Sequence, residues 1–334
     1  MTRKVGKVFY KISIVSNVTN VVKTMQKVKI LSVNISTEKG TVKTSVDNIE
    51  LNELGVANDA HSGEWHRQVS MLGKESFDRF SQQAGRQLNF GEFAENITSQ
   101  GVELVSTKPG DRFVGKNVEL EVTQIGKACH GDGCAIYREV GNCVMPKEGI
   151  FLRVKKSGIL KPGDELEFIP KIYKVLVITL SDRAYKGTYH DRSGPAVVGK
   201  VDDFFQSIKW QNTVDTMVIP DDDRMLRGNL LKAKEVGYDL VITTGGTGIG
   251  ERDITPDVAK EMLDKEIPGI MEMIRLKYGA EKPNALLSRG VAGLMGNAFV
   301  YTLPGSVKAV NEYMEEITKT LKHLYLMRMG IDSH

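Results

Sequence analysis

Apolar and polar residues alternate along much of the first half of the chain. From Val118 to Thr123 the alternation has a period of two, which predicts a strand with one face toward solvent. Glycine–aspartate pairs separate several such runs, and one amphipathic helix is predicted near residues 73–83. This rhythm predicts a mainly β, barrel-like domain over residues 25–170.

The pattern changes after Pro170. Residues 175–178 form a continuous apolar run, which is typical of a strand that is buried on both faces. Similar runs occupy residues 240–243 and 299–303, and helical stretches lie between them. Strands that alternate with helices predict an α/β domain over residues 172–330, with a mainly parallel sheet and helices on both faces.

Length and composition narrow the class of protein. A chain of 334 residues suggests two domains, and a formal net charge of +3 gives no argument for nucleic acid. No apolar run approaches the ~20 residues of a membrane span. The first 24 residues carry five bases and no acid, and Lys11 interrupts their apolar part, so we expect an extension ahead of the native start. With three cysteines, a disulfide framework is not expected, and we predict a cytoplasmic protein.

Polar loops follow the predicted strands of the second half. These loops are residues 181–183 (SDR), 220–223 (PDDD), 244–248 (TGGTG) with 252–256 (RDITP), and 304–306 (PGS). In open α/β sheets, ligands bind beyond the carboxyl ends of the strands, so we expect these loops to meet at one site.

The chemistry of these loops favours a phosphate ligand. Glycines let backbone N–H groups approach an anion, and Ser306 can cap a helix whose N-terminus favours phosphate. Asp221 and Asp253 lie beside these loops, and two carboxylates next to phosphates favour Mg²⁺ between them. The alternative is that each loop is a plain turn and each aspartate a helix cap.

The same loops carry a family resemblance. The segments SDRAYKGTYHDRSGP, IPDD, DLVITTGGTGIGERDITPD, ALLSRGVAG and LPGSVKAVNEYM resemble the molybdopterin adenylyltransferases, which include the G domain of gephyrin. The resemblance covers about 172–325 and keeps the order of the motifs. It implies transfer of AMP from Mg-ATP to the terminal phosphate of molybdopterin, with release of pyrophosphate. It also implies a homotrimer.

The resemblance assigns roles to individual residues. Asp221 and Asp253 would be catalytic, binding Mg²⁺ and placing the triphosphate. The nucleotide and phosphate site would contain Ser181, Asp182, Gly245, Gly246, Thr247 and Gly248. The molybdopterin site would contain Ser288, Arg289, Pro304, Gly305 and Ser306.

The three cysteines of the chain fall in one short stretch of the first half. They are Cys129, Cys134 and Cys143, and His130 is adjacent to the first. One hypothesis is a zinc site, although the spacing lacks a C-x₂-C pair. Another is that the cysteines are small buried residues of a β domain.

A second resemblance covers about 28–168. The segments GVANDAHSGEWHRQVSML, GEFAENIT, QIGKAC and GIFLRV resemble a MOSC domain. This resemblance places Cys129 at the reactive cysteine, which would carry sulfur or bind the molybdenum cofactor, and Ala128 stands where the family usually has Arg or Pro. His61, His66 and Arg67 would face the same pocket, unless they are surface polar residues on a turn.

Both halves therefore point to molybdenum-cofactor biosynthesis. The predicted function is adenylylation of molybdopterin, combined with a MOSC module, and we expect other proteins of cofactor assembly as partners. Two alternatives remain open. The chain could be a non-catalytic carrier of molybdopterin or of the finished cofactor, or a reductase of N-hydroxylated compounds that works through the MOSC half.

Overall fold

The structure is a computed structural model, and it describes residues 26–127 and 144–331. Within these residues the chain divides into two compact units. The C-terminal unit is Ile172–Lys322, and the N-terminal unit contains the described residues up to Lys171 and those from His323 onward. In the described part of the chain, no helix is both long and apolar enough to cross a membrane.

The N-terminal unit contains a closed barrel. Its strands are β1 (Gln26–Ile35), β2 (Thr44–Val46), β3 (Ile49–Asn52), β4 (Gly55–Val56), β5 (Val69–Gly73), β6 (Ile97–Gln100), β7 (Arg112–Val114), β8 (Glu119–Ile125), β9 (Ile150–Lys156), β10 (Gly158–Leu160) and β11 (Glu165–Ile169). Its helices are α1 (Lys74–Ala84), α2 (Met145–Glu148) and the 3₁₀ turn Leu104–Ser106. Seven strands run in the order β11-β7-β8-β9-β5-β6-β1, and β1 pairs with β11 to close the ring. The predicted barrel is confirmed.

Strand β8 shows how the alternation builds this barrel and where it fails. Leu120 and Val122 are buried in the apolar core, while Glu119 and Glu121 are partly exposed. The alternation predicts that Thr123 lies on the solvent-facing side of the strand, but its side chain is buried. The register of β8 against β9 shifts between Val122 and Gln124, which turns Thr123 inward. Its hydroxyl then donates to the carbonyl of Phe151 at 3.0 Å, so the buried oxygen keeps a partner.

The C-terminal unit is an α/β fold. Its strands are β12 (Ile172–Leu180), β13 (Gln211–Ile219), β14 (Leu240–Thr244), β15 (Lys265–Glu266), β16 (Ala292–Met295) and β17 (Ala298–Leu303). Its helices are α3 (Asp182–Tyr185), α4 (Ser193–Ser207), α5 (Asp223–Val236), α6 (Thr255–Met262), α7 (Pro268–Gly279), the 3₁₀ turn Pro283–Leu287, and α8 (Val307–Arg328) as far as Lys322. The six strands form one sheet in the order β13-β12-β14-β17-β16-β15.

Parallel pairing brings the polar loops of this sheet to one edge. Strands β13, β12, β14 and β17 run parallel to one another, whereas β16 pairs with β17 in the antiparallel direction. Strand β14 is buried along its whole length. Leu180 pairs with Ile219 at the ends of β12 and β13, and Thr244 pairs with Leu303 at the ends of β14 and β17. The four loops that follow these strands therefore start side by side.

Candidate active site

A cavity of about 520 Å³ lies at the carboxyl edge of the parallel strands. The predicted site residues that line it are Ser181, Asp182, Asp221, Gly246, Asp253, Gly305 and Ser306. Because these residues come from four different loops, the cavity is formed by the sheet topology and not by any one motif.

The loops after β12 and β13 are joined through two aspartates. The N–H of Asp182 donates to Oδ2 of Asp221 at 3.3 Å, and the N–H of Asp221 donates to Oδ1 of Asp182 at 3.2 Å. Ser181 holds the start of α3, since its hydroxyl accepts the N–H of Ala184 at 3.2 Å. These bonds fix both carboxylates against the wall of the cavity.

A third carboxylate adds to this negative charge. Burial, and secondly the charge of Asp253, raises the pKa of Asp221 above its usual value. Asp253 itself is oriented by the N–H of Gly250, which donates to Oδ2 at 2.8 Å. The guanidinium of Arg252 contacts Asp182 and lies 3.8 Å from Oδ2 of Asp221. The acidic wall is therefore a place where a cation is stabilised.

The glycine loop after β14 requires its glycines. Gly245 and Gly246 have φ angles of 102° and 63°, a region that side chains with a Cβ rarely adopt. A Cβ on Gly246 would also lie 2.6 Å from the Thr255 hydroxyl. The loop is tied to the last strand, because the N–H of Gly245 donates to the carbonyl of Leu303 at 2.9 Å.

The loop after β17 places a helix N-terminus at the cavity. The Ser306 hydroxyl accepts the N–H of Ala309 at 3.2 Å and so caps α8. A Cβ on Gly305 would lie 3.3 Å from Cα of Gly245, so the two glycine loops pack backbone against backbone. A capped helix start beside exposed loop amides suits an anion.

The cavity does not include every predicted residue. Gly245, Thr247, Gly248, Ser288, Arg289 and Pro304 are not among the residues that line it. Arg289 instead donates to the carbonyl of Gly248 at 2.7 Å and to the Asp257 carboxylate at 2.8 and 2.9 Å. Its donors are therefore engaged with the protein, and it stabilises the glycine loop from behind.

Several lining residues were not identified from the sequence. They are Thr179, Arg183, Tyr189, Asp191, Ser193 and Arg252. Asp191 accepts the Thr179 hydroxyl at 2.7 Å and the N–H of Ser193 at 3.0 Å, which anchors the start of α4. The available signal was position: Thr179 is two residues before Ser181, and the others lie in the same SDR…DRSGP and RDITP segments as residues that were chosen.

The predicted site of the N-terminal unit is described in part. Cys129, Cys134, Cys143 and His130 lie outside the described residues, as does the zinc hypothesis that rests on them. Nε2 of His66 lies 2.9 Å from Oε1 of Gln124, on the strand that precedes Cys129 in sequence. Arg67 lies over the Trp65 ring, 4.7 Å from its centroid. Among the described residues, no group of three or more His, Cys, Asp or Glu is arranged to hold a metal.

His61 belongs to a buried charged cluster that the sequence did not reveal. Its Nδ1 lies 3.5 Å from Nζ of Lys43, which forms an ion pair with Asp59. The Lys43 and Asp59 side chains are 1% and 0% exposed. Burial raises the pKa of Asp59, but hydrogen bonds from His61 and Lys43 outweigh it and hold that pKa below its usual range.

Glu95 is a second buried acid of this unit. Burial raises its pKa to about 7, against the opposing hydrogen bonds that it accepts. Oε1 accepts the N–H of Gly91 at 2.5 Å and the Thr98 hydroxyl at 2.9 Å. Oε2 is buried and has no hydrogen-bond partner among the described residues.

Two parts of the chain match two different protein families. Residues 176–323 match the family described as "Probable molybdopterin binding domain", and residues 58–167 match the family described as "MOSC domain".

Relatives with curated names align with the C-terminal unit. Molybdopterin adenylyltransferase from Pyrococcus furiosus is 36% identical over 160 residues, which are 46% of this chain and 90% of that protein. Gephyrin from Dictyostelium discoideum is 34% identical over 153 residues, and the match spans only 21% of its length. The crystal structure of the tungsten cofactor synthesizing protein MoaB from Pyrococcus furiosus is 33% identical, with a TM-score of 0.43, and the match covers 49% of this chain and 99% of that one.

Proposed function

The chain belongs to the molybdopterin adenylyltransferase family, and we propose that its C-terminal unit transfers AMP from Mg-ATP to molybdopterin. It is an adenylyltransferase of molybdenum-cofactor biosynthesis that also carries a MOSC domain. In the proposed reaction, an oxygen of the terminal phosphate of molybdopterin attacks the α-phosphorus of ATP. A new P–O bond forms, the bond to the bridging oxygen breaks, and pyrophosphate leaves with that oxygen.

Such a transfer needs alignment and charge neutralisation more than covalent chemistry. Asp221 and Asp253 fit Mg²⁺, because that ion is commonly held by one or two carboxylates together with substrate phosphates. The pKa of Asp221 is raised partly by Asp253, so a cation beside both would relieve their repulsion. Mg²⁺ bound there would neutralise charge on the triphosphate.

The other predicted residues divide between the two substrates, and some of them line the cavity. We assign Ser181, Asp182 and the backbone of 245–248 to the triphosphate, because Ser181, Asp182 and Gly246 line the same cavity as the two metal-binding candidates. We assign 304–306 and Ser288 to molybdopterin, with Ser306 at the N-terminus of α8 near its phosphate. Arg289 acts through the glycine loop that it holds.

The observation that carries this proposal is the meeting of Asp182, Asp221 and Asp253 with Gly246 and Ser306 around one cavity. The test is incubation of the pure full chain with molybdopterin, ATP and Mg²⁺, followed by mass analysis for adenylylated molybdopterin. A parallel reaction with an ATP analogue that has a methylene bridge between the α- and β-phosphorus atoms should give no product. Tight binding of molybdopterin without any product would favour the carrier alternative.

For the MOSC domain we propose binding of sulfur or of molybdenum cofactor at Cys129. Support comes from His66, which contacts Gln124 on the strand that leads toward Cys129 in sequence. Persulfide and molybdenum analysis of the wild type and of Cys129→Ala tests this role. Loss of the bound sulfur or metal, with adenylylation unchanged, is expected. Turnover of an N-hydroxylated compound that disappears in Cys129→Ala would favour the reductase alternative.

We also propose that the C-terminal unit assembles into a homotrimer. Large apolar side chains are exposed on α7 and on the neighbouring 3₁₀ turn: Met273, Leu276, Leu286 and Leu287. Leu276 and Leu287 are 69% and 59% exposed, which is costly unless another surface covers them. Sedimentation equilibrium of the wild type should give a mass three times that of the chain. The Leu276→Glu variant should have the mass of a single chain.

A further inference from the structure

Two tyrosines, one at the end of α3 and one between α3 and α4, are about equally exposed. Tyr185 is 52% exposed and Tyr189 is 48% exposed. Tyr189 lines the cavity, whereas Tyr185 is not among its lining residues. A large aromatic side chain at the wall of a ligand cavity offers a flat apolar face.

Tyr189 is held in place from both sides. The backbone N–H groups of Thr188 and Tyr189 donate to the carbonyl of Arg183 at 2.9 and 3.2 Å, and the Thr188 hydroxyl donates to the same oxygen at 3.0 Å. Two residues further on, Asp191 is bonded to Thr179 on β12. The ring is therefore presented by a short segment that is anchored at each end.

The guanidinium of Arg183 completes this arrangement. Its central carbon lies 5.3 Å from the centroid of the Tyr189 ring, a distance that suits a cation–π contact. Arg183 lines the cavity as well. Because the guanidinium restrains the ring, less conformational entropy is lost when a ligand packs against it.

The rest of the cavity wall suits phosphates and a cation. Aspartates, glycine amides and a helix N-terminus are suited to bind a triphosphate and its cation, but they offer little apolar surface to a planar ring. Among the described residues that line the cavity, Tyr189 is the one aromatic side chain. Both proposed substrates pair phosphate with a fused heteroaromatic ring, which is adenine in ATP and the pterin in molybdopterin.

From these observations we infer that Tyr189, restrained by Arg183, forms the subsite that binds the fused heteroaromatic ring of a substrate. The inference rests on the proposed function and extends it from the phosphate end of the site to the ring end. Stacking of a nucleobase on an aromatic side chain typically corresponds to about tenfold in affinity or more.

The test compares three variants of the full chain. Tyr189→Leu removes the ring, Tyr189→Phe keeps the ring and removes the hydroxyl, and Tyr185→Leu is the matched control outside the cavity. KM for ATP and KM for molybdopterin are measured separately, and calorimetric binding of each substrate is measured without turnover. We expect Tyr189→Leu to raise one KM and the matching Kd about tenfold, while Tyr189→Phe and Tyr185→Leu stay within twofold of the wild type.

The two arms identify the ring. A weakening confined to ATP assigns the subsite to adenine, and a weakening confined to molybdopterin assigns it to the pterin. Unchanged affinity for both substrates in a folded Tyr189→Leu protein overturns the inference, and so does an equal loss in Tyr185→Leu. If the wild type yields no adenylylated product, the proposed function fails, while the calorimetric data still decide the role of Tyr189.

Discussion

The charged clusters described above lie in different environments in the two units. In the C-terminal unit, the carboxylates of Asp182 and Asp221 stand at the edge of the sheet, 20% and 19% exposed, around a cavity. In the N-terminal unit, Lys43, Asp59 and Glu95 are almost completely buried. The first arrangement leaves charge for a ligand to neutralise, whereas the second neutralises it within the protein.

Each fold accommodates polar groups in its own way. A parallel sheet fills its strands with apolar residues and collects polar ones in the loops at its carboxyl edge. The N-terminal unit instead takes ionisable groups out of water, which is tolerable when each is paired or protonated. Charge in the C-terminal unit should therefore affect catalysis, and charge in the N-terminal unit should affect stability.

The largest effect is expected when the buried ion pair is broken. Lys43→Met removes the cation and leaves Asp59 with hydrogen bonds from the backbone of Ser36 and His61, each at 3.0 Å, and with Nδ1 of His61 at 3.5 Å. A buried carboxylate that has lost its lysine partner should lower the free energy of unfolding by about 3–5 kcal/mol. Urea unfolding followed by the fluorescence of Trp65 measures this change in free energy. The experiment uses a Trp210→Phe background, because the chain has two tryptophans and only Trp65 lies in the N-terminal unit.

The matched control for that variant is Lys27→Met. Lys27 pairs with Glu165 at 2.7 Å, but the two side chains are 74% and 54% exposed. An exposed pair contributes little, so no measurable change is expected. Equal destabilisation by the two variants would contradict the distinction between buried and exposed charge.

In the C-terminal unit, Asp253→Asn should act on turnover. Asparagine keeps the shape and can still accept the N–H of Gly250, but it removes a charge beside Asp221. Loss of one preorganised electrostatic contact should lower kcat about 100- to 1000-fold, with molybdopterin binding largely intact. Glu251→Gln removes a neighbouring exposed charge and serves as the control. Near-normal turnover in Asp253→Asn would refute its assignment.

Glu95 gives the N-terminal unit a pH dependence. Its pKa is about 7 when folded and 4.5 as a free side chain. Between these values the unfolded chain has lost the proton that the folded chain keeps, so Glu95 lowers stability as pH rises from 4.5 to 7, with no further effect above that. Glu95→Gln removes this dependence.

The free energy of unfolding of Glu95→Gln, measured relative to that of the wild type, should therefore rise by about 3 kcal/mol from pH 4 to pH 8. Urea unfolding at each pH measures the difference. Asp111, whose pKa burial raises to about 6, contributes equally to both proteins and cancels. A constant difference across the pH range would show that Glu95 titrates normally.

The smallest effect concerns the contact between two glycine loops. Gly305→Val places side-chain carbon against Cα of Gly245, where even a Cβ would lie at 3.3 Å. The glycine loop must shift by a few tenths of an ångström, and molybdopterin binding should weaken about tenfold while the fold survives. Gly228→Ala, where a Cβ meets nothing within 4 Å, is the control. A sharp fall in melting temperature with unchanged binding would make Gly305 a structural residue.

Local patterns were enough to predict much of this protein. The apolar runs of β12 and β14 are buried because a strand inside a parallel sheet has two covered faces. The same reasoning placed the loops of Asp221, Asp253 and Ser306 at one edge, and the structure brings all three residues to one cavity. For these residues, position in the chain and strand direction determine position in space.

Other features depend on contacts that no local pattern carries. The inward turn of Thr123 comes from a register shift against β9. Strand β13, for which the sequence analysis names no apolar run, extends from Gln211 to Ile219 because pairing with β12 supplies its hydrogen bonds. A lone lysine such as Lys43 is expected at the surface, whereas the structure buries it in an ion pair with Asp59. Periodicity along the chain shows which face of a helix or strand is apolar. Strand register, burial of an individual side chain and the partner of a buried charge depend on residues that are distant in sequence and become neighbours when the chain folds.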